Sequence, residues 1–172
     1  MHKQINQLNW VQTLVYTYFD NLTELLKELL EQELRSLRRL QFQAAESAET
    51  FEDLVRSVTH QYLAYIAQRG LLIERLQSEP SISRDHDPTD FGRDAAVTYL
   101  AKIVSRHFDL PIEVARAATD ISFGLPASAG IYFLRSKANL KEVEDLTVKM
   151  IMGSILAVVN DRLKNKITLK QT

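Results

Sequence analysis

The stretch LVYTYFDNLTELLKELLEQEL, residues 14–34, decides how the rest of this chain is organised. Its first half is aromatic, and its second half begins a strongly amphipathic helix. Leucines recur every three or four residues, at Leu22, Leu25, Leu26, Leu29, Leu30, Leu34, Leu37 and Leu40. This spacing places them on one face of a helix of about seven turns. Asn21 precedes that helix and can cap its first turn. The pattern predicts a short helix, a tight turn and a long helix that ends near Ser47.

The junction between the two halves resembles a known family. The run Val15-Tyr16-Thr17-Tyr18-Phe19-Asp20-Asn21, followed by Leu25-Leu26, is similar to the end of the helix-turn-helix in TetR-family transcriptional regulators. In that family the recognition helix ends in an aromatic run, and a long connecting helix follows. The resemblance covers residues 9–35. It implies an all-α, TetR-like helical bundle with a long connecting helix and a C-terminal helix pair that forms a four-helix dimer interface.

The beginning of the chain departs from the family pattern. Residues 1–20 are too few for the family's three-helix DNA-binding domain, and Leu22 stands where a lysine often meets a phosphate. We interpret residues 1–20 as a remnant of the helix-turn-helix region and residues 21–172 as the effector-binding and dimerisation domain. The resemblance implies that five side chains would lie toward DNA: Gln12, Thr13, Tyr16, Thr17 and Tyr18. The alternative, a truncated helix packed on the long one through Trp10, Leu14, Tyr16 and Phe19, is favoured because the upstream partner helices are missing.

Composition narrows the functional classes. The chain has 172 residues, 45% of them hydrophobic and 25% charged, which suits one globular domain. The net charge of −1 gives no strong attraction to nucleic acid or to a membrane. Because cysteine is absent, thiolate catalysis, disulfides and cysteine metal sites are excluded. A reducing cytoplasm is compatible with this composition, and a cytoplasmic location is our expectation. The longest apolar run, residues 150–159, is too short to cross a bilayer, so we expect no membrane partner.

Local signals divide the remainder into further helices. Thr50 with Asp53 predicts a capped helix that continues to a stop at Gly70, and residues 71–76 form a separate short helix. Residues 78–88 read as a polar loop, and residues 89–108 as the next helix, which ends before Pro111. In residues 112–137, Pro126 and two glycines predict a kink near Phe123. Charged residues on the outer side of the long helix are expected to be solvated: Glu31, Glu33, Arg35, Arg38 and Arg39.

Aromatic and small polar side chains on three of these helices suggest an internal cavity for a small apolar or aromatic effector. The candidate ligand-binding residues are Tyr62, Tyr65, Tyr99, Ile103, Thr119 and Phe123. The alternative interpretation is that the tyrosines are ordinary core residues whose hydroxyls lie at the edge.

The last helix, from Leu140 to about Asn165, has almost no polar face between Met150 and Val159. A helix that is apolar on all sides is expected to be covered on all sides, so a second copy of the chain is the predicted cover. The predicted dimer interface comprises Pro126, Ala129, Gly130, Phe133, Met152, Gly153, Leu156 and Val159.

These patterns favour a dimeric, ligand-responsive regulator of the TetR type, with a DNA operator as partner if the native DNA-binding region is complete. The alternative is a helical dimeric interaction module with neither DNA-binding nor ligand activity. An enzyme is not expected, because the sequence contains no phosphate-binding glycine loop and no zinc motif. Glu142, Glu144 and Asp145 are predicted to form a solvated helix start. We expect no catalytic residue, no cofactor and no metal; His86 between two aspartates is a weak metal signature.

Overall fold

The computed structural model describes residues 22–83 and 93–168, with side chains as far as Arg162 except those of Ser81 and Ser83. All regular structure in this part of the chain is helical, so the all-α prediction is confirmed. The helices are α1 (Leu22–Glu46), α2 (Phe51–Ser78), α3 (Pro80–Ser83), α4 (Arg93–Phe108), α5 (Ile112–Ser122), α6 (Gly124–Arg135) and α7 (Leu140–Thr168). The Asn21 cap, His86 and the start of the helix predicted at residue 89 lie outside the described residues.

Helix α1 is the predicted long helix, and its leucine stripe faces α2. Leu30 and Leu37 are buried, at 4% and 6% exposure, whereas Leu22 at the helix start is 62% exposed. The helix ends at Glu46, and the hydroxyl of Ser47 donates to the carbonyl oxygens of Gln43 and Ala44 in the last turn. Burial of the stripe therefore begins one turn or more beyond Leu22 and makes α1 one wall of the bundle.

The start of α2 was predicted correctly, but its end was not. The Thr50 side chain accepts a hydrogen bond from the backbone N–H of Asp53, and the Asp53 side chain accepts one from Glu49. The helix then continues through Gly70 to Ser78, so the predicted stop at Gly70 is wrong and residues 71–76 belong to α2. A Cβ atom at Gly70 would lie 2.8 Å from Cδ1 of Leu134. The absence of a side chain at Gly70 therefore allows α6 to pack closely against α2.

The two predicted interruptions in the second half are confirmed. Asp109 has a φ of 50°, a left-handed conformation that aspartate tolerates better than most residues, and it ends α4. The Ser105 hydroxyl donates to the carbonyl oxygen of Leu110 across this turn. At Phe123 the chain passes from α5 to α6, and Pro126 falls in the first turn of α6, where its missing N–H is tolerated.

The buried side chains form two separate core clusters. The first cluster contains side chains from the end of α1, the first turns of α2, helix α4 and the middle of α7. It includes Phe51, Val104 and Ile151. The second joins α1 to the last turns of α2 and includes Leu30 and Ile73. Partly buried side chains such as Tyr62 and Leu134 pack on the second cluster. The bundle thus has a core at each end and a gap between them.

Helix α7 is covered by its own chain on one side only. Val148, Ile151 and Ile155 are buried in the first core cluster. On the opposite side Leu146 is 60% exposed and Met150 is 50% exposed. The helix is therefore apolar around its circumference, as the sequence indicates, and part of that apolar surface is open to solvent in the single chain.

Candidate functional site

A cavity of about 470 Å³ lies between the two core clusters. Its volume falls within the range of pockets that take drug-sized ligands. The wall is mostly apolar and is built by every helix longer than one turn. Its apolar lining includes Leu34 and Leu37 of α1; Leu54, Val55, Val58, Tyr62, Ile66 and Ile73 of α2; Ala96, Leu100 and Val104 of α4; Phe123; Pro126, Ile131 and Leu134 of α6; and Ile151 and Ile155 of α7.

Hydroxyl groups from α2 and α5 interrupt the apolar wall. Thr59, Thr119 and Ser122 all line the cavity and are at least 91% buried. The Ser122 hydroxyl lies 3.3 Å from that of Ser154. The Thr119 Oγ1, by contrast, has no hydrogen-bond partner among the described residues. A helical threonine commonly donates to the carbonyl one turn earlier, as Thr147 does to Val143 at 2.7 Å. Thr119 is therefore a buried polar group without its usual partner, in the wall of the cavity.

Charged side chains lie where the cavity meets the surface. Arg93 donates from Nε to the Asp120 carboxylate at 3.1 Å, and Arg135 lies 3.8 Å from Glu74. Arg38 of α1 is the fourth charged residue of the lining, and its Nε donates to the carbonyl oxygen of Leu34 at 3.3 Å. Burial and the nearby charge of Arg35 lower the pKa of Arg38, against a smaller opposing effect from Glu31. The surroundings of Arg38 therefore disfavour its charged form.

Three of the six predicted ligand-binding residues, Tyr62, Thr119 and Phe123, line the cavity together. Burial raises the pKa of the Tyr62 hydroxyl.

The other three, Tyr65, Tyr99 and Ile103, are not in the wall. The Tyr65 hydroxyl donates to the Glu33 carboxylate at 2.7 Å, and burial followed by this bond raises its pKa to about 12. The Tyr99 ring lies 5.6 Å from that of Phe42. Ile103 packs on the first core cluster.

The residues predicted for the dimer interface occupy three environments. Pro126 and Gly130 line the cavity, and a Cβ at Gly130 would lie 3.2 Å from Ile66 of α2. Met152 and Val159 pack on the first core cluster, and Ala129 and Phe133 are half-buried on α6. Gly153 and Leu156 are exposed, and a Cβ at Gly153 would meet nothing within 4 Å. Within the single chain, the exposed members of this set are on α7.

Two features were missed by sequence reasoning. The first is the partial burial of Arg38 and Glu33 on α1, which were both expected on a solvated face; the Glu33 side chain is 12% exposed and accepts a hydrogen bond from Tyr65. The second is a charged contact between α2 and α7. The Glu144 carboxylate, with a side chain only 6% exposed, lies 2.7 Å from His60 Nδ1.

The residues around Glu144 join the same contact. Lys141 lies 3.2 Å from Glu144, and Asp145 lies 2.7 Å from Arg56. Burial alone would raise the pKa of Glu144, but the bonds to His60 and Lys141 outweigh it and lower the pKa. The prediction that Glu144 is solvated is therefore wrong. That prediction considered only the position of Glu144 near the start of α7 and did not consider a contact with α2.

No group of three potential metal-ligating side chains occurs in the described ranges. None of the helices in that part of the chain is long and apolar enough to cross a membrane. The predicted DNA-facing residues, Gln12 to Tyr18, lie outside the described residues. The sequence matches no protein-family model, and comparison with curated proteins and with solved structures gave no match either.

Proposed function

We propose that this chain is the effector-binding and dimerisation part of a cytoplasmic, TetR-type transcriptional regulator. It binds a small apolar or aromatic molecule between its two core clusters. The observation that carries this proposal is the cavity of about 470 Å³, whose wall contains Tyr62, Thr119 and Phe123. An apolar ligand there would join the two clusters into one core and would stabilise the fold by removing apolar surface from water.

Helix α1 connects that cavity to the segment that resembles a recognition helix. Leu34, Leu37, Arg38 and Gln41 line the cavity, and the same helix begins at Leu22, directly after the aromatic run. A ligand that favours one position of α1 over another would therefore move whatever precedes Leu22. Such control requires that the ligand bind the two positions with different affinity.

A homodimer is supported by the exposed apolar side chains of the last two helices. Leu146, Met150 and Leu156 of α7 are 60%, 50% and 39% exposed, and Tyr132 of α6 is 59% exposed. Helices α6 and α7 pack on each other in the chain. A second copy related by a two-fold axis would add two helices and complete a four-helix interface. This same surface favours the alternative function, a dimeric interaction module without a ligand.

Titration with N-phenyl-1-naphthylamine, a neutral apolar fluorophore, separates the two functions. We expect saturable fluorescence with one probe per protomer. A hundredfold excess over the dissociation constant stabilises the fold by about 2.7 kcal/mol, which raises Tm by roughly 5–10 °C for a chain of this size.

A pair of tryptophan variants on α2 assigns the binding to the cavity. Val58→Trp places a large side chain in the cavity and is expected to abolish binding of the probe. Ala67→Trp, on the exposed side of the same helix, is expected to leave binding of the probe unchanged. Circular dichroism shows whether each variant folds. If the wild-type chain shows neither saturable fluorescence nor a rise in Tm, the ligand-binding function is wrong and the interaction module is favoured.

A further inference from the structure

The buried polar groups of the cavity wall are hydroxyls, whereas its charged side chains are more accessible to solvent. Thr59, Thr119 and Ser122 are each at least 91% buried. The four charged side chains of the lining are half-buried or exposed: Arg38, Glu74, Arg93 and Arg135. A charged ligand group in the enclosed part of the cavity would lose its hydration among apolar side chains and hydroxyls, a cost that an uncharged group avoids. The enclosed part therefore favours a neutral ligand.

The two buried hydroxyls of α5 differ in what their protons do. The Ser154 hydroxyl donates to the carbonyl oxygen of Ile151 at 2.8 Å. In the 3.3 Å contact between Ser122 and Ser154, the Ser122 hydroxyl is therefore the donor. The Thr119 Oγ1, one turn earlier, has no hydrogen-bond partner among the described residues. Because helical threonine adopts two χ1 rotamers, the Thr119 hydroxyl can turn toward a ligand without breaking a hydrogen bond.

We propose that the cavity selects a neutral apolar molecule with one acceptor oxygen, such as a ketone, that accepts a hydrogen bond from Thr119. This inference rests on the proposed ligand-binding function and names the chemical class of the ligand. A carbonyl oxygen supplies the partner that the buried Thr119 hydroxyl lacks and brings no proton that would need an acceptor of its own. The low dielectric of the apolar wall strengthens such a bond.

An apolar ligand without this oxygen would leave the Thr119 hydroxyl unpaired. A site with a buried hydrogen-bonding group discriminates against analogues that cannot pair with it. Thr119 is therefore the residue that we expect to determine specificity, while the apolar side chains of the wall hold the body of the ligand.

The test compares two neutral fluorophores that share one naphthalene body. The ketone is 6-propionyl-2-(dimethylamino)naphthalene, and its propyl analogue has a methylene group in place of the carbonyl. Dissociation constants for both are measured with the wild-type chain, Thr119→Val, Thr119→Ser and Thr147→Val. Thr119→Ser keeps a hydroxyl, and Thr147 is a similarly buried threonine on α7, outside the cavity lining. The informative quantity is the ratio of the two constants, because it cancels any effect of a substitution that both fluorophores share.

We expect Thr119→Val to weaken binding of the ketone about three- to tenfold relative to the propyl analogue, the size of one hydrogen bond between neutral groups. Thr119→Ser and Thr147→Val should keep the wild-type ratio. The emission of the bound ketone should also shift to shorter wavelength in Thr119→Val, because a hydrogen bond to the carbonyl lowers the energy of its excited state. Circular dichroism shows whether each variant folds.

A ratio that Thr119→Val leaves unchanged, or that Thr119→Ser or Thr147→Val changes as much, would overturn the preference for an acceptor oxygen. In those cases the propyl analogue still binds the wild-type chain, so the ligand-binding function stands. Failure of both fluorophores to bind the wild-type chain would remove the function and this inference together.

Discussion

Replacing Thr119 with valine should stabilise the ligand-free chain. Threonine and valine have nearly the same shape and similar helix propensity, so the substitution mainly removes the hydroxyl. Because Thr119 is 95% buried and its Oγ1 has no partner among the described residues, that hydroxyl lost its hydration without gaining a hydrogen bond. A buried unsatisfied polar group costs about 1–3 kcal/mol. We expect the free energy of unfolding to rise by about 1–2 kcal/mol and Tm to rise by roughly 2–8 °C.

Thr147 supplies the matched control. It is equally buried and helical, but its hydroxyl donates to the carbonyl oxygen of Val143 at 2.7 Å. Thr147→Val removes a satisfied hydrogen bond and should lower the free energy of unfolding by about 0.5–1.5 kcal/mol. Urea unfolding curves of the parent chain and both variants measure the two changes in the free energy of unfolding. The comparison requires that the dependence of this free energy on urea concentration is the same in all three proteins. If Thr119→Val destabilises the chain as much as Thr147→Val does, the Thr119 hydroxyl is satisfied and our description of the cavity wall fails.

Two further predictions concern the dimer and the contact between α2 and α7. Gly153→Arg should give a folded monomer in sedimentation velocity, because a Cβ there meets no atom of its own chain within 4 Å and the arginine would enter the proposed interface. Ala67→Arg on α2 should stay dimeric, and a dimeric Gly153→Arg chain would exclude this face. Glu144→Gln should destabilise the chain at pH 7 by about 1–2 kcal/mol. The lowered pKa of Glu144 means that this contribution is present above pH 4.5 and is lost as pH falls below it, so the wild-type and variant unfolding curves should converge in acid. A difference that stays constant down to pH 3 would show that His60 and Lys141 do not stabilise the charged carboxylate.

Features set by local chemistry could be predicted from the sequence. The leucine stripe gave the extent of α1, the hydroxyl of Thr50 marked the start of α2, and Pro126 with its neighbouring glycine marked the break at Phe123. Each of these depends on atoms within a turn or two of the residue concerned.

Features that depend on distant helices could not be predicted. Gly70 resembles a helix stop, but its lack of a side chain makes room for Leu134, 64 residues later in the sequence. Glu144 resembles a solvated residue because its partner His60 is 84 residues away. The same limit applies to the residues predicted to line the cavity. A tyrosine on the apolar side of a helix can line a cavity, as Tyr62 does, or donate to a carboxylate, as Tyr65 does to Glu33.

The most direct test of the account is the distance between the two copies of α1 in the presence and absence of a cavity ligand. The chain has no cysteine, so Gln32→Cys, at an exposed position of α1, allows one spin label per protomer. Double electron–electron resonance should show a label-to-label distance that changes by more than about 1–2 Å, the size of helix shifts in switching proteins, when N-phenyl-1-naphthylamine saturates the cavity. An absent dipolar signal would contradict the dimer, and an unchanged distance at saturation would contradict control of α1 by the ligand.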